Sequence, residues 1–254
     1  MEVNGKLAVV VGGASGMARA TAEMLASRGA RVAVLDLATS DGAAVAREIG
    51  RGAIFQPIDV TDDLGAEESL AAAVAALGGV HIAVNTVGGS RSRRIISRTE
   101  PLPLDEFRRT IEFNLVATFN LNRLQAWYMR ENEPEDGERG VIVNTASIAA
   151  FEGMVGQVAY SAAKAGIAGM SLTMARDLGS LGIRVNAIAP SLFDTGLTAG
   201  ISEEGEARLT KDAAFPKRMG RPVEYAKLVL AIVDNPMLNG GTIRLDGGQR
   251  FAPK

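Results

Sequence analysis

Tyr160 and Lys164, in the run Tyr-Ser-Ala-Ala-Lys, stand four residues apart at the start of a segment rich in alanine and methionine. On a helix their side chains share one face, so a phenol and an ammonium become neighbours. An adjacent cation favours the phenolate and draws a tyrosine from its ordinary pKa of about 10 toward neutrality, the range useful to a group that gives and takes a proton. Ser147 comes earlier, at the carboxyl end of Val141-Ile142-Val143. That β-branched run, bounded by Gly140, has the composition of a strand buried on both faces of a parallel sheet. The serine hydroxyl could hold a carbonyl or alcohol oxygen against the phenol, which suits redox chemistry at a carbon bearing oxygen. Tyrosine and lysine at this spacing are also common surface neighbours. The serine ahead of them and a glycine-rich loop near the amino terminus favour the chemical reading.

The elements that must position these groups alternate between strand and helix patterns. Lys6 to Val11 reads as a strand running into Gly12-Gly13-Ala14-Ser15-Gly16-Met17-Ala18, after which an amphipathic helix closes at Gly29. A glycine-rich turn there lets backbone approach a pyrophosphate, and the helix start offers free N–H groups with a favourable dipole. Arg31 to Leu35 is a second strand, and Asp36 at its end could accept hydrogen bonds from ribose hydroxyls, or could cap the next helix as Ser40 or Asp41 could. A carboxylate there repels a 2'-phosphate, and neither Ser15 nor Leu37 supplies a compensating cation, so NAD is expected over NADP. Ala53 to Ile58 is a third strand leading to Asp59-Val60-Thr61, where Asp59 could meet adenine or act as a cap or turn acid.

A helix over 63–77 and a fourth strand over Val80 to Thr86 follow, then Val87-Gly88-Gly89, where backbone must pass close to something. The loop from Ser90 to Pro103 carries Arg91, Arg93, Arg94 and Arg98. It reads as a solvated loop, or as guanidiniums that meet phosphates of a long substrate handle. One helix is expected from Leu104 to about Arg130, carrying Asn114 and a packing Trp127. Ile183 to Ala189 is a sixth strand leading to Pro190, Phe193 and Thr195. Ser202 to Asp212 reads as a polar helix on a mobile excursion, a candidate lid. A helix over Pro222 to Asp234 and a strand over Thr242 to Leu245 complete a doubly wound, seven-stranded parallel α/β sheet with helices on both faces and its ligand site at the strand carboxyl ends. Residues 1–254 read as a single domain, with the dinucleotide-binding part over about 1–140 and the catalytic and substrate part over about 141–254.

Of the 254 residues 47% are hydrophobic, enough for a sizeable core, and the net charge of −2 argues against a general nucleic-acid binder. With no cysteine, disulfides and thiol nucleophiles are excluded. The one histidine, His81, sits in an apolar run, where it reads as packed and hydrogen-bonded rather than as a hydrolase base. No metal site is expected. No stretch is long and apolar enough to span a membrane, and a strand beginning near Lys6 leaves no room for a leader peptide, so a cytoplasmic location is the expectation.

Taken in order, G-x-x-x-G-x-A over Gly12 to Ala18, strand-end Asp36, Asn114, Ser147 and Tyr160-x-x-x-Lys164 resemble the short-chain dehydrogenase/reductase family over essentially the whole chain. The segments NTAS, AAFEG, VGQ, IAPSLF and IRLDGG are similar to members of that family that act on 3-hydroxyacyl-CoA. The resemblance implies that Tyr160 exchanges a proton with the substrate oxygen that Ser147 positions. It implies that Lys164 binds the nicotinamide ribose and that Asn114 holds a water linking Lys164 to solvent. Cofactor contacts are implied for Gly12, Ser15, Gly16, Met17, Asp36, Asp59, Val60, Asn85, Thr86, Tyr160, Lys164, Pro190, Phe193 and Thr195, and substrate contacts for Ser147, Gln157 and Tyr160. The chain departs from the family pattern at Val11, where threonine is usual, and at Asn85-Thr86-Val87-Gly88, where Asn-Asn-Ala-Gly is usual. The implied activity is NAD-dependent interconversion of a secondary alcohol and a ketone, with 3-hydroxyacyl-CoA and 3-oxoacyl-CoA as the pair. Hydroxysteroid dehydrogenase, 3-oxoacyl-carrier-protein reductase and a non-catalytic dinucleotide sensor are the alternatives. Small residues on the Tyr160 helix, with the family habit of tetramers, imply a homotetramer.

Overall fold

The computed structural model describes residues 1–89, 91–196 and 200–251; Ser90, which opens the arginine loop, falls outside the described residues. The β-branched runs form β1 (Leu7–Val11), β2 (Arg31–Asp36), β3 (Ile54–Pro57), β4 (Ile82–Asn85), β5 (Gly140–Thr145), β6 (Ile183–Pro190) and β7 (Thr242–Leu245). They make one parallel sheet in the order β3-β2-β1-β4-β5-β6-β7. The helices are α1 (Gly16–Ser27), α2 (Gly42–Ile49), α3 (Asp63–Leu77), α4 (Leu104–Ile111), α5 (Ala117–Met129), α6 (Val158–Gly179), α7 (Glu203–Thr210) and α8 (Pro222–Asp234).

Alternate strand residues point to opposite faces, and here both faces are covered. Ala8, Val10, Val32 and Val34 pack with α1, α2 and α8, while Val9, Val11, Ala33 and Leu35 pack with α3 and α5. This is why the strands read as continuous apolar runs rather than alternating ones. The chain winds outward in both directions from the adjacent pair β1 and β4, and the crevice at such a reversal is where ligands of open α/β sheets bind.

The helix expected over 104–130 runs without a gap from Leu104 to Met129 but changes its winding midway. α4 and α5 are separated by a π-helical turn, Glu112–Val116, whose buried residue is Asn114. A π turn is a single-turn bulge within an otherwise α-helical run, so a reading of where helix begins and ends does not reveal it. The polar helix α7 is tied down rather than free: Glu206 Oε1 accepts from Met219 N at 2.8 Å, and Leu209 O accepts from Gln249 Nε2 at 2.8 Å. His81, one residue ahead of β4, is half-buried and accepts from Leu7 N at Nδ1, and burial holds its pKa down.

α3 is capped by Asp62, whose carboxylate accepts from Gly65 N at 3.1 Å. Asp62→Ala should cost about 1 kcal/mol and lower the melting temperature by about 2–4 °C without touching turnover. Calorimetry of the two proteins checks this.

Candidate active site

A cleft of about 570 Å³ opens where β1, β4, β5 and β6 end. Gly12, Ser15, Gly16, Met17, Thr86, Ser147, Gln157, Tyr160, Lys164, Pro190, Phe193 and Thr195 all line it, so most of the residues singled out from sequence converge there.

At its chemical end, Ser147 closes β5 and caps a short 3₁₀ turn, accepting from Ala149 N at 3.1 Å. The Tyr160 hydroxyl lines the same cleft near enough for Ser147 to pull its pKa down. Lys164 is buried, with Nζ 5.6 Å from the centre of the Tyr160 ring, and donates to Thr145 O at 2.8 Å. The expected fall in the tyrosine pKa does not occur in the free chain. Burial raises the pKa of Tyr160 and the nearby Ser147 hydroxyl only partly opposes it. The same desolvation lowers Lys164 to about 8, which weakens the very charge that would have favoured a phenolate. Tyr160 therefore rests as a protonated phenol, poised to give a proton first.

Gly88 brings the π turn and α6 together. At φ +139°, a conformation that residues with side chains rarely adopt, a Cβ on it would stand 2.5 Å from Asn114 Oδ1 and 3.0 Å from Lys164 Nζ. Asn114 is anchored from Oδ1 by Gly89 N (3.0 Å) and through Nδ2 to Gly89 O (2.8 Å) and Thr110 O (2.9 Å).

The other end of the cleft suits a dinucleotide. Ser15 stands at the N-cap of α1 with no side-chain cap bond and no acidic residue follows in the first turn. The first amides of α1 are thus left to meet an anion. Gly12 has φ +80°, and a Cβ there would lie 2.7 Å from Thr86 Oγ1. Thr86, at one of the departures from the family pattern, donates to Val11 O at 2.9 Å and so ties the β1 and β4 loops together. Asp36, beside the glycine loop, accepts from Ala14 N (2.9 Å) and Leu37 N (2.8 Å).

Asp36, Asp59, Val60, Asn85 and Asn114, all singled out from sequence, lie off the cleft lining. Asp59 is exposed, its carboxylate closing a turn on Thr61 N and Thr61 Oγ1, and Val60 beside it is buried. Asn85 turns its side chain into a buried amide cluster with Asn122, Gln125 and Asn144. In the arginine loop, Arg93 is committed to ion pairs with Glu100 and Glu106, and its N–H donates to Gly156 O at 2.8 Å, so it staples the loop. Arg91, Arg94 and Arg98 are exposed. Thr145 and Phe251 also line the cleft; nothing in their spacing marked them, because one acts through its main chain and the other arrives from the distant carboxyl end. No group of three or more potential metal ligands occurs among the described residues.

A tyrosine and a serine hydroxyl beside a buried lysine, next to a phosphate-type cradle on a doubly wound sheet, suit a dinucleotide-dependent oxidoreductase. A family model described as "short chain dehydrogenase" matches residues 6–206. The chain belongs to that family, whose enzymes use a nicotinamide cofactor. It is 48% identical to a human 3-hydroxyacyl-CoA dehydrogenase type-2, over 99% of this chain and 97% of the relative. It is 46% identical to a Drosophila melanogaster protein of the same name, over 99% and 100%. The crystal structure of 3-hydroxyacyl-CoA dehydrogenase type-2 from Mycobacterium avium superposes with a TM-score of 0.93 at 42% identity, over 97% of this chain and 96% of that one.

Proposed function

We propose that the chain interconverts 3-hydroxyacyl-CoA and 3-oxoacyl-CoA with NAD(H), acting as a single domain. The observation that carries the chemistry is the convergence of the Ser147 and Tyr160 hydroxyls with buried Lys164 in one cleft; the likeness to relatives named for this activity supports the substrate.

When bound, the nicotinamide ring supplies or accepts the hydride. The protein does the rest. Ser147 holds the substrate oxygen, and Tyr160, resting protonated, donates its proton to that oxygen as a ketone is reduced. In the oxidative direction the same phenolate takes the alcohol proton. Lys164, as an ammonium, holds the nicotinamide ribose and stabilises the phenolate left by proton transfer. Asn114, which meets Lys164 across Gly88, reads as the seat of a water that returns the proton. The buried Gln157 Oε1, without a partner in the structure, offers an acceptor to a donor on the substrate. Gly12, Gly16 and Met17 would meet the pyrophosphate, with Asp59 and Val60 toward the adenine. Arg91, Arg94 and Arg98 at the surface would meet phosphates of the CoA handle.

Asp36 supports NAD rather than NADP, since its carboxylate beside the glycine loop opposes a 2'-phosphate. Half-exposed Leu37 follows it. Asp36→Ala combined with Leu37→Arg should therefore invert the preference, lowering the KM for NADPH and raising that for NADH by about tenfold or more each. Steady-state kinetics with the two cofactors check it. We place the enzyme in the cytoplasm as a homotetramer. Exposed Phe119, Trp127 and Leu172 on α5 and α6 support association, and a monomer in light scattering would refute it. The reading as a whole is tested with acetoacetyl-CoA and NADH against a steroid panel; turnover confined to the steroids would overturn the substrate.

A further inference from the structure

The mechanism leaves a fully buried tyrosine hydroxyl unused. Tyr225 of α8 is fully buried, and its hydroxyl lies 2.7 Å from Thr145 Oγ1. Thr145 Oγ1 is also 2.7 Å from Asn85 O, which can only accept. A hydroxyl has one proton to give. Thr145 gives it to Asn85 O, so Tyr225 is the donor to Thr145. The result is a directed chain from Tyr225 through Thr145 to the end of β4. The other end of Thr145, its main-chain carbonyl, is the acceptor that holds Lys164 Nζ at 2.8 Å.

We propose that Tyr225 is a positioning residue for the reaction: by donating to Thr145 it locks the end of β5 to β4 and so holds the carbonyl that aims the Lys164 ammonium at the cofactor. This rests on the assignment of Lys164 given above. Three observations support it. β4 and β5 pair in register up to Asn85 and Asn144, so Thr145 lies one residue past that pairing and is tied to β4 by its side chain. Lys164 has no carboxylate to anchor it: only burial shifts its pKa, and the carbonyl of Thr145 is its hydrogen-bond acceptor. Tyr225 stays a phenol throughout, since burial holds its pKa far above the working range. The groups facing Lys164 are Tyr160 on its own helix, Gly88 and uncharged Asn114 from the loop after β4 and the π turn, and Tyr225 from α8 by way of Thr145.

The test follows NADH binding by fluorescence titration between pH 6 and 10, alongside kcat and melting temperature. Tyr225→Phe keeps the ring and removes the donor. It should weaken NADH binding by about 3–10-fold and move the alkaline fall of binding to lower pH, because an ammonium whose carbonyl has drifted is less well stabilised. Thr145→Val should do the same or more, and the double variant no more than Thr145→Val, as expected for hydroxyls in series. Val229→Ala disturbs the same α8 core without touching the chain, and should lower the melting temperature while leaving the alkaline limb in place. If Tyr225→Phe binds NADH like the parent across the range, or moves the limb no further than Val229→Ala, the inference is overturned and Tyr225 is packing only. Lys164→Met separates the two readings. Should it leave NADH binding intact, the role of Lys164 fails first; should it weaken binding while Tyr225→Phe does not, only the role of Tyr225 fails.

Discussion

Tyr160→Phe will remove turnover, by about 10²–10⁴-fold in kcat, while cofactor binding and melting temperature stay near those of the parent. Phenylalanine fills the same space and keeps the contact of Lys164 Nζ with the ring, 5.6 Å from its centre. Only the hydroxyl is lost. That hydroxyl lines the cleft with Ser147 and is the acid this mechanism brings to the substrate oxygen. Without it the oxygen must take its proton from water in a confined site. Ser147 cannot replace it, because a serine hydroxyl is far too weak an acid near neutral pH. Turnover of acetoacetyl-CoA within a factor of a few of the parent would show that the proton comes from elsewhere.

The second large effect separates stability from activity. Lys164→Met should make the protein more stable and far less active. An unfolded lysine keeps its proton to about pH 10.4, whereas burial lowers folded Lys164 to about 8. Below pH 8 the folded state carries a desolvated ammonium at a cost on the order of 3 kcal/mol. Methionine removes that cost and leaves Thr145 O without its donor, so the net gain is on the order of 2 kcal/mol at pH 7, or ~5 °C in melting temperature. Between pH 8 and about 10 the unfolded parent binds more protons than the folded one, so this group's contribution to parental stability improves as pH rises. The gap between variant and parent should therefore shrink toward pH 10. Turnover should move oppositely, falling about 10²–10³-fold in the variant at pH 7 for want of a charge to stabilise the phenolate. A variant less stable than the parent at pH 7, or a stability gap that does not narrow with pH, would mean that the ammonium is not the burden its burial indicates.

Much of this was legible in the chain itself. Apolar β-branched runs can only be strands covered on both sides, and their alternation with helices leaves few topologies open, so the doubly wound sheet followed. Ser147, Tyr160 and Lys164 were legible because local spacing fixes them: one strand end and one helical turn place three functional groups without reference to the rest of the chain. The glycine loop and Asp36 were legible for the same reason, each sitting at the end of a strand already recognised.

What local spacing could not decide were the quantities that depend on neighbours from other elements. The sequence alone implied that a lysine one turn away makes a tyrosine acidic, but a protein interior penalises the charge on both, and only the depth of burial decides which effect wins. The family resemblance implied a cofactor contact for Asn85, yet three amides from β5 and α5 draw its side chain into the core. The anchoring of Asn114 on Gly89 and the path from Tyr225 through Thr145 to Lys164 join residues from about 20 to 80 positions apart, and the commitment of Arg93 to two glutamates depends on how its loop folds back. The sequence determined which chemical groups this protein has and which short elements carry them. The tertiary structure alone decided how dry, how charged and how firmly held those groups are, because solvation and hydrogen-bond partners are set by whatever the fold packs against them.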